Sequence, residues 1–135
     1  VSVESEIYTR LTTFAGLMAL ISDRVYPNLL PQEPTYPAIS YRRVTADRPH
    51  AMGVDAGVVF ARFQFDVWDE DDEAGDAGYD SAKAVAEQVR LALQRWRTTA
   101  DTIVQDTLFL TEQDLYEDEL KVHHIAMDFQ IIYEE

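Results

Sequence analysis

The sequence predicts an α+β fold in which two helices pack on one face of a mostly antiparallel four-stranded sheet, in the order helix, strand, strand, helix, strand, strand. Three observations predict it. Residues 3–21 and 77–96 place apolar side chains three and four apart. Residues 58–68 and 120–133 alternate with period two, and turn formers or prolines separate these stretches. The 135 residues suit one domain, residues 1–135, and 47% hydrophobic with 11% aromatic content supplies a core.

The first helix, residues 3–21, carries Ile7, Leu11, Phe14, Leu17 or Met18, and Ile21 on one stripe. Ser2 or Ser5 caps it, Glu4 and Glu6 suit its positive end, and Ser22, Asp23 and Pro27 stop it. All five prolines fall between residues 27 and 49, so residues 26–37 form an extended connector rather than a helix or a central strand. Residues 38–45 read as an edge-like strand, and residues 46–57, rich in turn formers and without periodicity, as a loop or hairpin tip. Between residues 58 and 68, Val59, Ala61, Phe63, Phe65 and Val67 point one way while Arg62, Gln64 and Asp66 point the other, the clearest strand in the chain. A second helix runs from Ala77 or Ser81 to Trp96 on the stripe Ala82, Val85, Ala86, Val89, Leu93 and Trp96. Asp80 or Ser81 caps it, and Arg90, Arg95 and Arg97 suit its negative end. Residues 102–113 and 120–133 are the last two strands, joined by a hairpin turn within residues 113–119. His123, Ile125, Met127, Phe129, Ile131 and Tyr133 line one face of the final strand.

Charge and composition exclude several classes. With 11 Lys and Arg against 25 Asp and Glu, the net charge is −14, which opposes wrapping nucleic acid, because phosphate binding needs clustered cations. Cysteine is absent, so there are no disulfides, thiolate metal sites or cysteine nucleophiles. The longest apolar run, residues 14–21, is far short of the ~20 residues of a membrane helix and lacks the basic flank of a signal peptide, so a soluble, intracellular protein is expected.

The acidic stretch holds Asp66, Asp69, Glu70, Asp71, Asp72, Glu73 and Asp76. A calcium loop of the EF-hand type needs oxygen ligands at positions 1, 3, 5 and 12 with glycine at 6. Counted from Asp69, Ala74 stands where glycine is required and Asp80 replaces the bidentate glutamate; counted from Glu70, Ala74 and Ser81 fill ligand positions. Neither register works, and a solvated loop that opposes aggregation is expected instead. His123 and His124, adjacent on a strand, leave on opposite faces and do not share a metal, while Asp128 is ~13 Å of strand from His124. No serine lies in a nucleophile elbow, no glycine loop cradles phosphate, and no acid pair stands in an apolar context, so no enzymatic activity, cofactor or metal is expected. One basic cluster remains: Arg42, Arg43, Arg48 and His50, flanked by Met52 and Val54. In an acidic molecule this is a candidate contact surface for an acidic partner or a second copy, with a solvated strand end as the alternative. A head-to-tail contact between it and the acidic residues Asp69, Glu70, Asp71, Asp72 and Glu73 of a neighbour closes into a ring where the rotation allows.

The run Arg24-Val25-Tyr26-Pro27-Asn28-Leu29-Leu30-Pro31-Gln32, followed by Tyr36-Pro37-Ala38-Ile39-Ser40-Tyr41-Arg42-Arg43-Val44, resembles the signature of the tail terminator, or tail-completion, proteins of tailed phages and prophages. Phe63-Gln64-Phe65-Asp66-Val67-Trp68, Trp96 and Met127-Asp128-Phe129-Gln130-Ile131 extend the likeness over nearly the whole chain. The acidic stretch departs from it, since the family has a shorter strand-to-helix link with fewer acids. The resemblance implies a ring, of six copies, on the head-proximal end of the tail tube, which stops tube polymerisation and offers the head a docking surface. It implies as partners other copies of the chain, the tail tube protein and head-tail connector proteins, in the virion tail or neck after assembly in the host cytoplasm. An acidic lumen would keep passing DNA from sticking. Three other readings stay open: another head-tail connector ring protein, an acidic DNA mimic that inhibits a basic enzyme, and a metal-dependent hydrolase using the acidic stretch.

Overall fold

A computed structural model describes residues 2–71, 78–119 and 121–135. Three helices and seven strands follow in the order α1 (Val3–Thr13), α2 (Ala15–Ile21), β1 (Val25–Pro27), β2 (Ala38–Asp47), β3 (His50–Ala51), β4 (Val54–Asp55), β5 (Val58–Glu70), α3 (Gly78–Leu93), β6 (Val104–Glu117) and β7 (Val122–Glu134). The α+β class holds. The expected four strands and two helices become a five-stranded sheet of order β1-β2-β5-β7-β6, a separate two-stranded sheet β3-β4, and three helices. The sheet is antiparallel except at its edge, where β1 runs parallel to β2.

The expected single N-terminal helix breaks at Phe14, whose extended backbone (ψ 115°) closes α1 and whose carbonyl opens α2 by accepting from the Leu17 and Met18 amides. Two threonines supply the reason: Thr12 and Thr13 hydroxyls bond back to the carbonyls of Tyr8 and Thr9, which loosens the last turn. The apolar stripe survives the break, so Ile7, Leu11, Leu17 and Ile21 are all buried. Ser2 is the cap, its hydroxyl accepting from the Ser5 amide at 3.2 Å. In the proline-rich connector, Val25–Pro27 joins the sheet edge, where a residue lacking an amide donor is tolerated, and the Tyr36–Pro37 peptide is cis.

Helix α3 ends at Leu93, earlier than Trp96. Arg95 takes a left-handed backbone (φ 62°) and donates its amide to the Thr107 carbonyl, turning Trp96 back beneath the helix end. All three helices lie on one sheet face. That face presents Phe63, Phe65, Val67, Met127, Phe129 and Ile131, with Phe65 stacked on Tyr41 at 5.9 Å and edge-on to Phe129 at 5.5 Å. Strands β5 and β7 pair over their full length, from Val58↔Glu134 to Glu70↔Val122. Among the described residues the opposite face carries no helix and is the open face. Among the described residues no helix is long and apolar enough to cross a membrane.

Candidate assembly interface

The predicted contact residues Arg42, Arg43, Arg48, His50, Met52 and Val54 do not form one cationic patch. A bulge at Val44 shifts the β2 register between Arg43 and Thr45, and alternation sends Arg42 to the open face and Arg43 to the helix face. There Arg43 Nη1 donates to Tyr133 Oη at 3.0 Å. Arg48 is neutralised by Glu135 through a paired contact at 2.7 and 3.2 Å, and His50 sits 3.1 Å from Asp55. Arg42 alone of the four has no polar partner among the described residues.

Residues 46–57, read as a loop or hairpin tip, are a hairpin with its own small sheet, Ala51 opposite Val54 and His50 opposite Asp55. Gly53, at φ 80°, supplies the turn conformation that a side chain would resist. Every residue from Asp47 to Ala56 is exposed, Met52 completely and Val54 by 67%. Among the described residues nothing covers the apolar side chains of this hairpin.

On the open face the sheet register assembles a polar cluster. Trp68 lies opposite His124, and their rings stack at 3.9 Å. His124 Nε2 is 2.7 Å from Asp66 Oδ1, which also accepts from Gln64 Nε2 at 2.8 Å. Trp68 Nε1 donates to Ser40 Oγ at 3.0 Å. Beside the cluster, Asn28, Leu29 and Leu30 rim a cavity of about 600 Å³ that Arg42 and Trp68 also line. Serine, histidine and aspartate thus meet, yet the hydroxyl is engaged by Trp68 and not by His124. A hydrolytic nucleophile needs its base within hydrogen-bond reach.

The acidic stretch is only partly a solvated loop. Asp69 and Glu70 belong to the end of β5, and Asp69 is buried, so burial raises its carboxyl pKa above the usual range against the opposing hydrogen bonds of Ser81 and the Glu70 amide. Asp69 is thus one buried acid that the sequence did not single out as buried, not the pair that acid-base hydrolysis needs. Asp71 is held by His123 Nε2 at 2.9 Å and Tyr116 Oη at 3.2 Å, and the His123 bond lowers its pKa. Asp72, Glu73 and Asp76 lie outside the described residues. Among the described residues no group of three acids or histidines is placed to hold a metal ion.

Both histidines are sheet residues, as expected, but each pairs with an aspartate from another segment. The Asp66–His124 and Asp71–His123 pairs depend on the β5 to β7 register, which joins residues more than fifty positions apart. Asp128, four residues from His124, pairs instead with Arg62 across the strands. The cavity rim at Leu29 was equally invisible, because no periodicity tells on which face a connector lies.

The fold and this site define a small α+β domain whose unmatched features, among the described residues, are a bare sheet face with a cavity and a bare hairpin. The comparisons with known proteins supply the family. The model of the tail completion protein gp17 family matches residues 5–134, and the chain belongs to that family, one of structural phage tail proteins and not of enzymes. A chain from the virion of a native gene transfer agent particle superposes with a TM-score of 0.71 at 20% identity, over 96% of this chain and 92% of that one, which is a likeness of fold. No curated protein matches.

Proposed function

We propose that this chain, a single domain spanning residues 1–135, is the subunit of a tail terminator: a closed ring, of six copies, on the head-proximal end of a phage tail tube. There it ends tube polymerisation and offers the surface to which the filled head docks. The family match over residues 5–134 carries the reading. Its partners are other copies of the chain, the tube protein below and the head-tail connector above, and its place is the tail or neck of the virion after assembly in the host cytoplasm. A net charge of −14 per copy suits a ring through which DNA passes, since like charge keeps the duplex from adhering to the wall. The hairpin residues Met52 and Val54, with Arg42, are the subunit contacts, while the acidic stretch, in which Glu70 is exposed, faces the lumen or a neighbour.

Native mass spectrometry over a wide concentration range, with negative-stain imaging of the same samples and of tail tubes mixed with the protein, tests this. Six-fold closed rings, or tubes capped at one end, are expected. Monomers at every concentration, with tubes that stay uncapped and keep growing, overturn it and turn attention to nuclease inhibition by an acidic mimic.

A further inference from the structure

The two unmatched surfaces of this chain lie at opposite ends of the same pair of strands. The β3-β4 hairpin springs from the C-terminal end of β2 and the N-terminal end of β5, whereas the cavity lies where Ser40 and Arg42 meet Asp66 and Trp68, about 20 Å back along the sheet. A copy does not fill its own cavity, since its Met52 is fully exposed.

Their chemistries match. The hairpin offers Met52 and Val54 at its tip and an exposed carboxylate at Asp55 beside them. The cavity offers apolar rim residues Leu29, 82% exposed, and Leu30, the indole of Trp68, and the guanidinium of Arg42. A thioether against an indole is a favourable contact, and methionine adapts its shape to an irregular pocket. In a chain with 11 cations and 25 acids, the other arginines all have polar partners on their own chain, and on the open face Arg42 has none among the described residues. Two isolated two-residue strands are at best marginally stable in water, so burial of the tip against another surface is what would make the hairpin worth its ordering.

We propose that the β3-β4 hairpin of one copy seats in the open-face cavity of the next, with Met52 between Leu29 and Trp68 and Asp55 against Arg42. The contact is heterologous, joining two different patches, so repeating it builds a chain that closes when the rotation per subunit divides a full turn. Closure rests on the ring reading above. The contact itself does not.

The chain has no cysteine, which makes a cross-linking test clean. Met52→Cys and Leu29→Cys are placed in one chain and treated with a short bis-maleimide at assembling concentration. A ladder of covalent multimers on a denaturing gel is expected, with each single variant stopping at dimers. Pairing Met52→Cys instead with Tyr8→Cys, beside the separate groove between Tyr8, Pro27 and Tyr41, is expected to give no ladder. Arg42→Glu should raise the concentration for half-assembly about tenfold, as loss of an interface anchor does, and Asp55→Arg added to it should restore most of that. Both positions are exposed, and an unchanged melting curve shows that the variants fold. Closed rings without a Met52–Leu29 ladder overturn the hairpin contact and keep the ring reading. Open ladders without rings support the contact and overturn closure. A Tyr8 ladder, or an Arg42→Glu variant that assembles as before, overturns the contact, and monomers with no ladder overturn both.

Discussion

Asp69 and Asp71 stand two residues apart and respond oppositely to folding. Burial disfavours the charged form of Asp69 and raises its pKa, whereas the hydrogen bond from His123 favours the charged form of Asp71 and lowers its pKa. The linkage has opposite signs. For Asp71 the stabilisation is fully present above the ordinary carboxylate pKa of the unfolded chain and is lost as pH falls through the lower native value. For Asp69 the cost of carrying charge is fully present above its raised native pKa and fades as pH falls toward the ordinary range. Thermal melts of Asp71→Asn and Asp69→Asn between pH 3 and 8 should therefore diverge, the first below the parent at neutral pH and the second at or above it, with both differences shrinking toward pH 3. Two variants displaced in the same direction at pH 7 would refute this assignment of causes.

Among the elements, α3 is the one whose position depends on a single absent atom. A Cβ at Gly78 would lie 2.6 Å from Asp71 Oδ1, 2.8 Å from the Asp71 nitrogen and 2.8 Å from His123 Cδ2, so the helix start sits directly on the end of β5 and on β7. Gly78→Ala should cost about 1 to 3 kcal/mol by overpacking, read from urea denaturation. Gly16 makes the informative contrast. Its added Cβ would clash with the end of the Gln88 side chain, which can swing away, and touch Phe14 Cε2 at an ordinary 3.4 Å, so Gly16→Ala should be near neutral or gain up to ~1 kcal/mol from helix propensity. Equal losses at both glycines would mean that helix packing against the sheet is not the cause. The long helical stretches and the four long strands were legible because three- and four-residue spacing and period-two alternation are local signals, whereas the short strands β1, β3 and β4 carry too few residues to show a period. The break at Phe14 was not legible either, because the apolar stripe runs through it unchanged while the cause is hydroxyl competition from Thr12 and Thr13.

At the scale of the whole molecule, each subunit brings a net charge of −14 to any assembly. Mutual repulsion between subunits acts over distances comparable with the Debye length, ~10 Å at 0.1 M salt, and is screened more readily than a desolvated pair such as the one proposed between Arg42 and Asp55. Raising salt from about 0.05 to 0.3 M should therefore strengthen self-association severalfold, measured by sedimentation velocity across a concentration series. Association that weakens over that range would show that interfacial ion pairs outweigh the repulsion.

By itself the sequence determined the class of fold, the faces of β5 and β7, most of the core residues of the helices and of those two strands, and the likeness to tail-completion proteins, because periodicity and composition are carried by neighbours along the chain, whereas Val25, Ala38, Ile39, Tyr41 and Val104 joined the core only in the folded chain. It also named Met52 and Val54, beside the basic cluster, as candidate contact residues. Only the tertiary structure decided which cations are free, since Arg43, Arg48 and Arg62 are each answered by a group at least sixty positions away and Arg42 is answered by none among the described residues. The cavity beside Trp68 and the pairing of each histidine with its aspartate belong to the same category. Strand register is set by packing across the sheet, and the alternation of β2 within it puts the adjacent Arg42 and Arg43 on opposite faces with different neighbours, Arg42 opposite Gln64 and Arg43 opposite Phe63.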